Sequence, residues 1–363
     1  MKKIIILVPN LKLPGGVTNY YNTLMLDTNS NIIHFPITSA KRQGALAASL
    51  RLLGKYYKFF YQVVMHGYEV VVVNPSLDMG RSFHRDLVFI VISRILKRKT
   101  IVFFRGWLEP SEYEIKKSKW KLFLFKISYA KADKYVVLGK IFKNKLIGLG
   151  VPDKTEFFIE TTVADSSYLN ELSLSRKHTT YKNEIRFLFL ARIEKEKGIY
   201  IAIDAYKNFL KKHPERKACL IIAGEGPDLQ AVIKYVEESN LSGIKFLGHV
   251  SREEKKKVLL ESHVMLFPSF TEGLPNSILE GMLYGMPIIA RATGGIPEVI
   301  DENTNGFVSE SYEPSVFSEF LSIIASDSTL YQKISENNHK IALEKFTSEK
   351  VSGRMLKILD SFS

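Results

Sequence analysis

The chain has 363 residues, 45% apolar and 25% charged, a composition that excludes disorder and implies two domains, because one core rarely serves so long a chain. A single cysteine, Cys219, and the lack of any run of about 18 apolar residues exclude a disulfide framework, a cysteine zinc site and a membrane-spanning helix. Residues 1–170 hold 26 Lys and Arg against 12 Asp and Glu, net +14, and residues 171–363 hold 25 against 26, net −1, so all the excess positive charge lies in the first half; such a half suits an acidic partner, whether membrane surface, nucleic acid or phosphorylated acceptor.

MKKIIILVPN begins like a signal peptide, but its apolar run is short and ends in Pro-Asn, so it reads as a first buried strand. KIIILVP (3–9), EVVVVN (69–74), TIVFF (100–104) and KYVVL (134–138) are β-branched runs without polar alternation, as expected of strands covered on both faces. Amphipathic stretches separate them, including ALAASLRLLGKYYKFFYQVVMHG and residues 82–97. This is βαβ order, and it implies a mostly parallel sheet. Residues 165–183 are polar and without a clear period and read as a linker. The rhythm then restarts with strand 185–191, helix 197–212, strand 218–223, helix 227–238, strand 244–247, helix 251–261, strand 263–267 and a helix from about 275. The expected organisation is a first Rossmann-like domain over 1–164, the linker, a second over 184–345, and a helix within 346–363, capped by Thr347 or Ser348, that can pack back on the first domain. The expected fold class is α/β, two doubly wound domains facing across a cleft, with ligands beyond the carboxyl ends of the strands.

Within FTEGLPNSILEGM (270–282), a loop at the end of the strand VMLFP carries Glu272, Gly273 and Leu274 into a helix start. Pro275 suits the first helical position, where its missing N–H costs nothing. The amides of Asn276, Ser277 and Ile278 would then point outward without intrahelical partners and form a seat for a diphosphate. Glu280, five residues on, lies about 7.5 Å further along the axis. Two carboxylates beside a diphosphate would repel it unless they accept hydrogen bonds from sugar hydroxyls while cations neutralise the phosphates. Arg192, directly after a strand, and Lys197, ahead of the next helix, are such cations; the plainer reading is a solvated charged loop. Gly15 and Gly16, after the first strand and before a helix, let backbone approach a ligand or simply make a turn.

Taken in order, ARIEKEKG, LIIAGEGPDLQ, IKFLGHVSREE, LFPSFTEGLPNSILEGMLYGMPIIARATGGIPEVI and NGFV resemble the retaining glycosyltransferases of family 4, which have the GT-B fold, over about residues 185–345. The resemblance implies that Glu280 binds the donor ribose, that Glu272 lies by the transferred sugar, and that Arg192 and Lys197 grip the diphosphate. It further implies that backbone at Gly248, His249 and Val250 faces the base, that amides around Gly273, Leu274, Pro275 and Asn276 complete the phosphate seat, and that Gly15 and Gly16 contact donor phosphate or acceptor. The catalytic set is then Glu272, Arg192 and Lys197. Where the family often has His-Gly, this chain has Arg105-Gly106; Arg105 would contact an acidic sugar or acceptor, or else pair with Glu109 or Glu112.

EIKKSKWKLFLFKISYAKADK (114–134) mixes lysines with Trp120, Leu122, Phe123 and Phe125, and RLLGKYYKFFYQ (51–62) has similar chemistry, which suits helices lying on an anionic membrane as well as helices whose lysine stems cover a core. No Asp-x-Asp, Walker A or complete G-x-G-x-x-G occurs, so no metal or cofactor is expected. His249 and His263 read as structural rather than as ligands. The reading is a retaining glycosyltransferase moving a hexose-type sugar from a nucleotide-sugar to a glycan or lipid-linked acceptor in surface polysaccharide synthesis, cytoplasmic, peripheral on the inner membrane face, and without a nucleic-acid partner. The alternative is a noncatalytic GT-B subunit that binds carbohydrate or a partner.

Overall fold

The computed structural model describes residues 2–362 except 14, 39–44, 78–79, 167–168 and 303. The chain divides into two compact units, Met1–Thr161 with Glu349–Ser363, and Thr162–Ser348.

In unit 1 the elements are β1 (Ile4–Val8), α1 (Gly16–Leu24), β2 (Ile32–Pro36), α2 (Ala45–Met65), β3 (Val70–Val73), β4 (Ser76–Leu77), α3 (Arg81–Ile95), β5 (Lys99–Phe103), β6 (Gly106–Trp107), α4 (Glu109–Lys117), α5 (Lys119–Ile127), β7 (Lys134–Val137), α6 (Lys140–Gly148) and β8 (Glu156–Ile159). Six strands form a parallel sheet in the order β2-β1-β3-β5-β7-β8, and β4 pairs with β6 in a two-stranded ribbon. β1 and β3 are buried along their whole length, as their unbroken β-branched runs require. The chain leaves β1 towards one edge and returns past it to β3, so the order reverses between β1 and β3.

Unit 2 repeats the plan with α7 (Leu174–Asn183), β9 (Ile185–Leu190), α8 (Ile199–Lys212), β10 (Ala218–Ala223), α9 (Leu229–Glu238), β11 (Ile244–Gly248), α10 (Arg252–Glu261), β12 (Val264–Phe267), α11 (Asn276–Leu283), β13 (Ile288–Arg291), β14 (Gly306–Ser309), α12 (Pro314–Ser326) and α13 (Ser328–Lys345). Its parallel sheet runs β11-β10-β9-β12-β13-β14, with the reversal between β9 and β12. Cys219 on β10 is a buried free thiol.

Residues 165–183 do not form a linker. They belong to unit 2, and α7 packs through Lys177 and Tyr181. Tyr181 stacks on Tyr331 at 3.6 Å and donates to Ile324 O. Lys177 Nζ donates to Leu259 O and Tyr284 O at 2.9 and 2.7 Å, and burial pushes its pKa down to about 7. A helix whose inward side chains are a lysine stem and a tyrosine has no apolar period to read. The final helix, α14 (Ser348–Asp360), contributes Glu349 onward to unit 1, where Arg354 forks onto buried Glu160 at 2.8 and 3.0 Å.

Candidate functional site

The reversal point of a doubly wound sheet leaves a crevice beyond the strand ends, because the flanking crossovers depart in opposite directions. In unit 2 the loops that follow β9 and β12 meet there. Phe270 N–H donates to Glu196 O at 2.8 Å, and Ser269 Oγ to the same carbonyl at 3.3 Å. Lys197, in the first loop, donates to Glu272 Oε1, in the second, at 2.7 Å, and Ser269 Oγ reaches that same oxygen at 2.8 Å. The structure therefore joins two of the three residues expected to be catalytic. Arg192, at the start of the first loop, is 66% exposed and rests 3.3 Å from Glu194.

Glycines let these loops approach. Gly198, at φ 76°, would place a Cβ 2.0 Å from Pro268 O, and Gly294, at φ 59°, one 2.2 Å from Glu272 O. The GEGP segment has the same purpose: Cβ atoms at Gly224 and Gly226 would meet Ala191 O at 1.9 Å and Ile193 O at 2.0 Å, so this motif packs against the Arg192 loop.

At the second loop's end Pro275 is the helix cap, with ψ 131° in the extended region, and α11 begins at Asn276. The sequence reading placed Pro275 one position too far into the helix. Ile278 N–H turns back to Pro275 O at 3.2 Å, which removes it from the expected outward set; Asn276 and Ser277, at the first two helical positions, have no intrahelical acceptor. Leu274 is buried, and its carbonyl accepts from Thr162 Oγ1 at 3.1 Å.

Glu280 is 4% exposed and accepts from Lys255 Nζ at 2.7 Å. Burial pushes its carboxyl pKa up, and the Lys255 ammonium pulls it back. Lys255 lies in the charge run REEKKK and gave no sign of this contact; it is placed by the α10 capping box of Ser251 and Glu254. Gly248, at φ 64°, ends β11 and accepts from Gly224 N–H at 2.8 Å; His249 is exposed and Val250 half-buried. His263 is buried, its ring bonded to Thr180 Oγ1 and Arg186 N–H at 2.9 and 3.0 Å, a structural role.

In unit 1, Gly15 caps α1, and a Cβ at Gly16 would meet nothing within 4 Å, so packing within the unit does not demand glycine there. Arg105, just past β5, stacks its guanidinium over Tyr20 of α1 at 3.8 Å and over Phe103 at 4.2 Å, with Nη1 buried and lacking a hydrogen-bond partner. It does not pair with Glu109 or Glu112, which are taken by Lys145 and by Lys116 and Trp107. Arg105 and the α1 start thus share one neighbourhood in unit 1, while Arg192, Lys197, Glu272, Gly273 and the α11 start share one in unit 2.

Residues 171–341 match the family described as glycosyl transferases group 1. An uncharacterized glycosyltransferase of Methanocaldococcus jannaschii is 24% identical over 84% of this chain and 78% of its own length. The amylovoran biosynthesis glycosyltransferase AmsK of Erwinia amylovora is 27% identical over 50% of this chain and 44% of its own. Among solved structures, Anabaena HepE in complex with UDP superposes with a TM-score of 0.74 at 18% identity, covering 99% of this chain and 100% of that one. Sucrose-phosphate synthase of Thermosynechococcus elongatus superposes with 0.75 at 14% identity, covering 100% and 99%. The fold is GT-B, with two Rossmann-like domains, and the comparisons support a glycosyltransferase. The matched residues lie wholly in unit 2 and include the Lys197–Glu272 contact.

Proposed function

We propose that the chain is a retaining glycosyltransferase that moves a hexose-type sugar from a nucleotide-sugar to a glycan or lipid-linked acceptor in bacterial surface polysaccharide synthesis. It works in the cytoplasm, held peripherally at the inner membrane face by its basic first unit. The observation that carries the reading is the meeting of Lys197, Glu272 and the α11 start at the reversal point of the unit 2 sheet.

The chemistry follows from charge. As the anomeric carbon becomes oxocarbenium-like, negative charge grows on the departing diphosphate, and fixed donors aimed at that charge lower the barrier. Arg192, Lys197 and the α11 amides are those donors, so no metal is required. Lys197 turns from Glu272 to a phosphate oxygen when donor binds, and the freed Glu272 carboxylate accepts hydrogen bonds from the sugar. Glu280 receives the ribose, Gly248 to Val250 the base, and Gly15, Gly16 and Arg105 the acceptor or sugar on unit 1. The acceptor hydroxyl bonds to the anomeric carbon from the face that the diphosphate leaves, the carbon–oxygen bond to the diphosphate breaks, and the hydroxyl proton passes to the departing phosphate oxygen, without a protein nucleophile. The UDP-bound relative supports a uridine donor, and the amylovoran relative supports a polysaccharide product.

Nucleotide release across UDP-, GDP- and ADP-sugars tests the reading. Lys197→Ala should lower turnover at saturating donor by about 10²-fold, the usual effect of deleting one such donor; a near-normal rate would remove Lys197 from the mechanism. An inverted anomeric configuration in the product, read by NMR, would sink retention.

A further inference from the structure

The loop that carries Glu272 runs over 268–275, between β12 and α11, with neither a strand ladder nor helical bonds to set its shape. Its backbone polar groups must find partners elsewhere. On one side it is held by the loop after β9: Phe270 N–H donates to Glu196 O, and Thr271 O accepts from Lys197 Nζ at 3.4 Å. On the other side it is held by the end of β13. Gly295 N–H donates to Gly273 O, and Phe270 O accepts from Arg291 Nη1 at 3.1 Å and from Thr293 Oγ1 at 3.4 Å.

Arg291 is the last residue of β13, at the carboxyl end of the sheet, where a cation would ordinarily await an anionic ligand. Its fork is engaged by the protein instead. Besides the bond to Phe270 O, Nε donates to Glu310 O at 3.1 Å, just past β14, and the guanidinium lies over the Tyr312 ring at 3.8 Å. Tyr312 in turn meets the Phe270 ring edge-on at 5.1 Å, so Arg291, Tyr312 and Phe270 close a ring of contacts. Both hydrogen bonds end on carbonyls, which leaves the arginine charge without a carboxylate in this contact, whereas Arg192 stands 66% exposed beside Glu194. A lysine would supply one point charge but neither the planar fork nor the stacking face.

We propose that Arg291 is a positioning residue for sugar transfer: by anchoring the Phe270 peptide it fixes where Glu272, two residues on, stands against Lys197. The inference rests on the role given to Glu272 above and adds a side chain that acts through the loop. A misplacement of about 1 Å at the reacting centre is enough to slow a reaction about 100-fold, so an anchor of this kind governs turnover more than donor affinity.

The test compares Arg291→Ala, Arg291→Lys and Tyr312→Leu with the parent chain, using whichever of the UDP-, GDP- and ADP-sugars the parent turns over. Arg291→Ala should lower kcat about 10-fold or more and leave the donor KM near that of the parent, the sign of a contact that serves the transition state. Arg291→Lys should stay low although it keeps the charge, and Tyr312→Leu should fall between. Hydrogen exchange in peptides spanning 268–275 should quicken in the same order, with β9 and β10 as protected as in the parent. A raised donor KM with unchanged kcat would overturn the proposal by making Arg291 a donor ligand, and full rescue by lysine would overturn it in favour of charge alone. Exchange that quickens throughout unit 2 would reduce Arg291 to a support of the fold, and unchanged kcat with unchanged exchange would leave it no role. If the parent turns over no donor, the transferase reading fails, and the exchange pattern still decides by itself whether Arg291 holds the loop.

Discussion

Glu272 and Glu280, eight positions apart, are held by different lysines, Lys197 from the loop after β9 and Lys255 from α10. The sequence shows both acids and the first lysine, because Lys197 follows a strand where such sites collect. It hides Lys255, which stands in a run of six charges and is selected only by the helix register. Arg105 is a similar case, since its stacking on Tyr20 depends on how α1 meets β5. Replacing Lys255 by Met should leave the Glu280 carboxylate buried alone and cost about 3–5 kcal/mol. Burial already raises the Glu280 pKa, so the folded state of that variant holds a proton the unfolded chain releases, and the loss should be small near pH 4 and grow as pH rises. Urea unfolding at several pH values reads this, with Glu280→Gln added to the same background restoring most of the stability. A pH-independent loss below about 1 kcal/mol would mean that the ion pair does not support the fold.

Strands announce themselves here because most are short, nearly continuous apolar runs, such as IIILV in β1, VVVV in β3 and VMLF in β12, and most helices between them keep an apolar stripe. α7 escapes that reading, and Pro275 moves by one position, where a polar stem or a proline cap replaces the usual pattern. The loops of the candidate site owe their shape to glycines whose need appears only in three dimensions. Gly198→Ala would press a Cβ into Pro268 O while holding φ at 76°. A strained position of this kind costs about 1–3 kcal/mol, and relief would draw the adjacent Lys197 away from Glu272. Thermal unfolding should show the stability loss, and turnover should fall with it; a fully stable and fully active Gly198→Ala would show that the loop tolerates the shift.

For the molecule as a whole, alternating runs were enough to indicate two doubly wound sheets, and the charge count was enough to mark the first half as the basic one. Unit 1 is discontinuous, its last segment being the final helix that the sequence reading left free to pack back on the first domain. Lys2 donates to Phe362 O, Lys134 to Ser361 O at 2.9 Å, and Arg354 to Glu160. The ribosome therefore delivers the two units out of order. Unit 2 is one unbroken stretch, whereas the earlier-made unit 1 lacks the Arg354 partner of Glu160 until residues 349–363 follow. A chain halted after Ser348 should accordingly resist protease across 162–348 and be cut readily within 1–161; equal resistance in both would show that unit 1 closes without its last helix. Synthesis thus completes the unit that holds the Lys197–Glu272 contact before the unit proposed to meet the membrane.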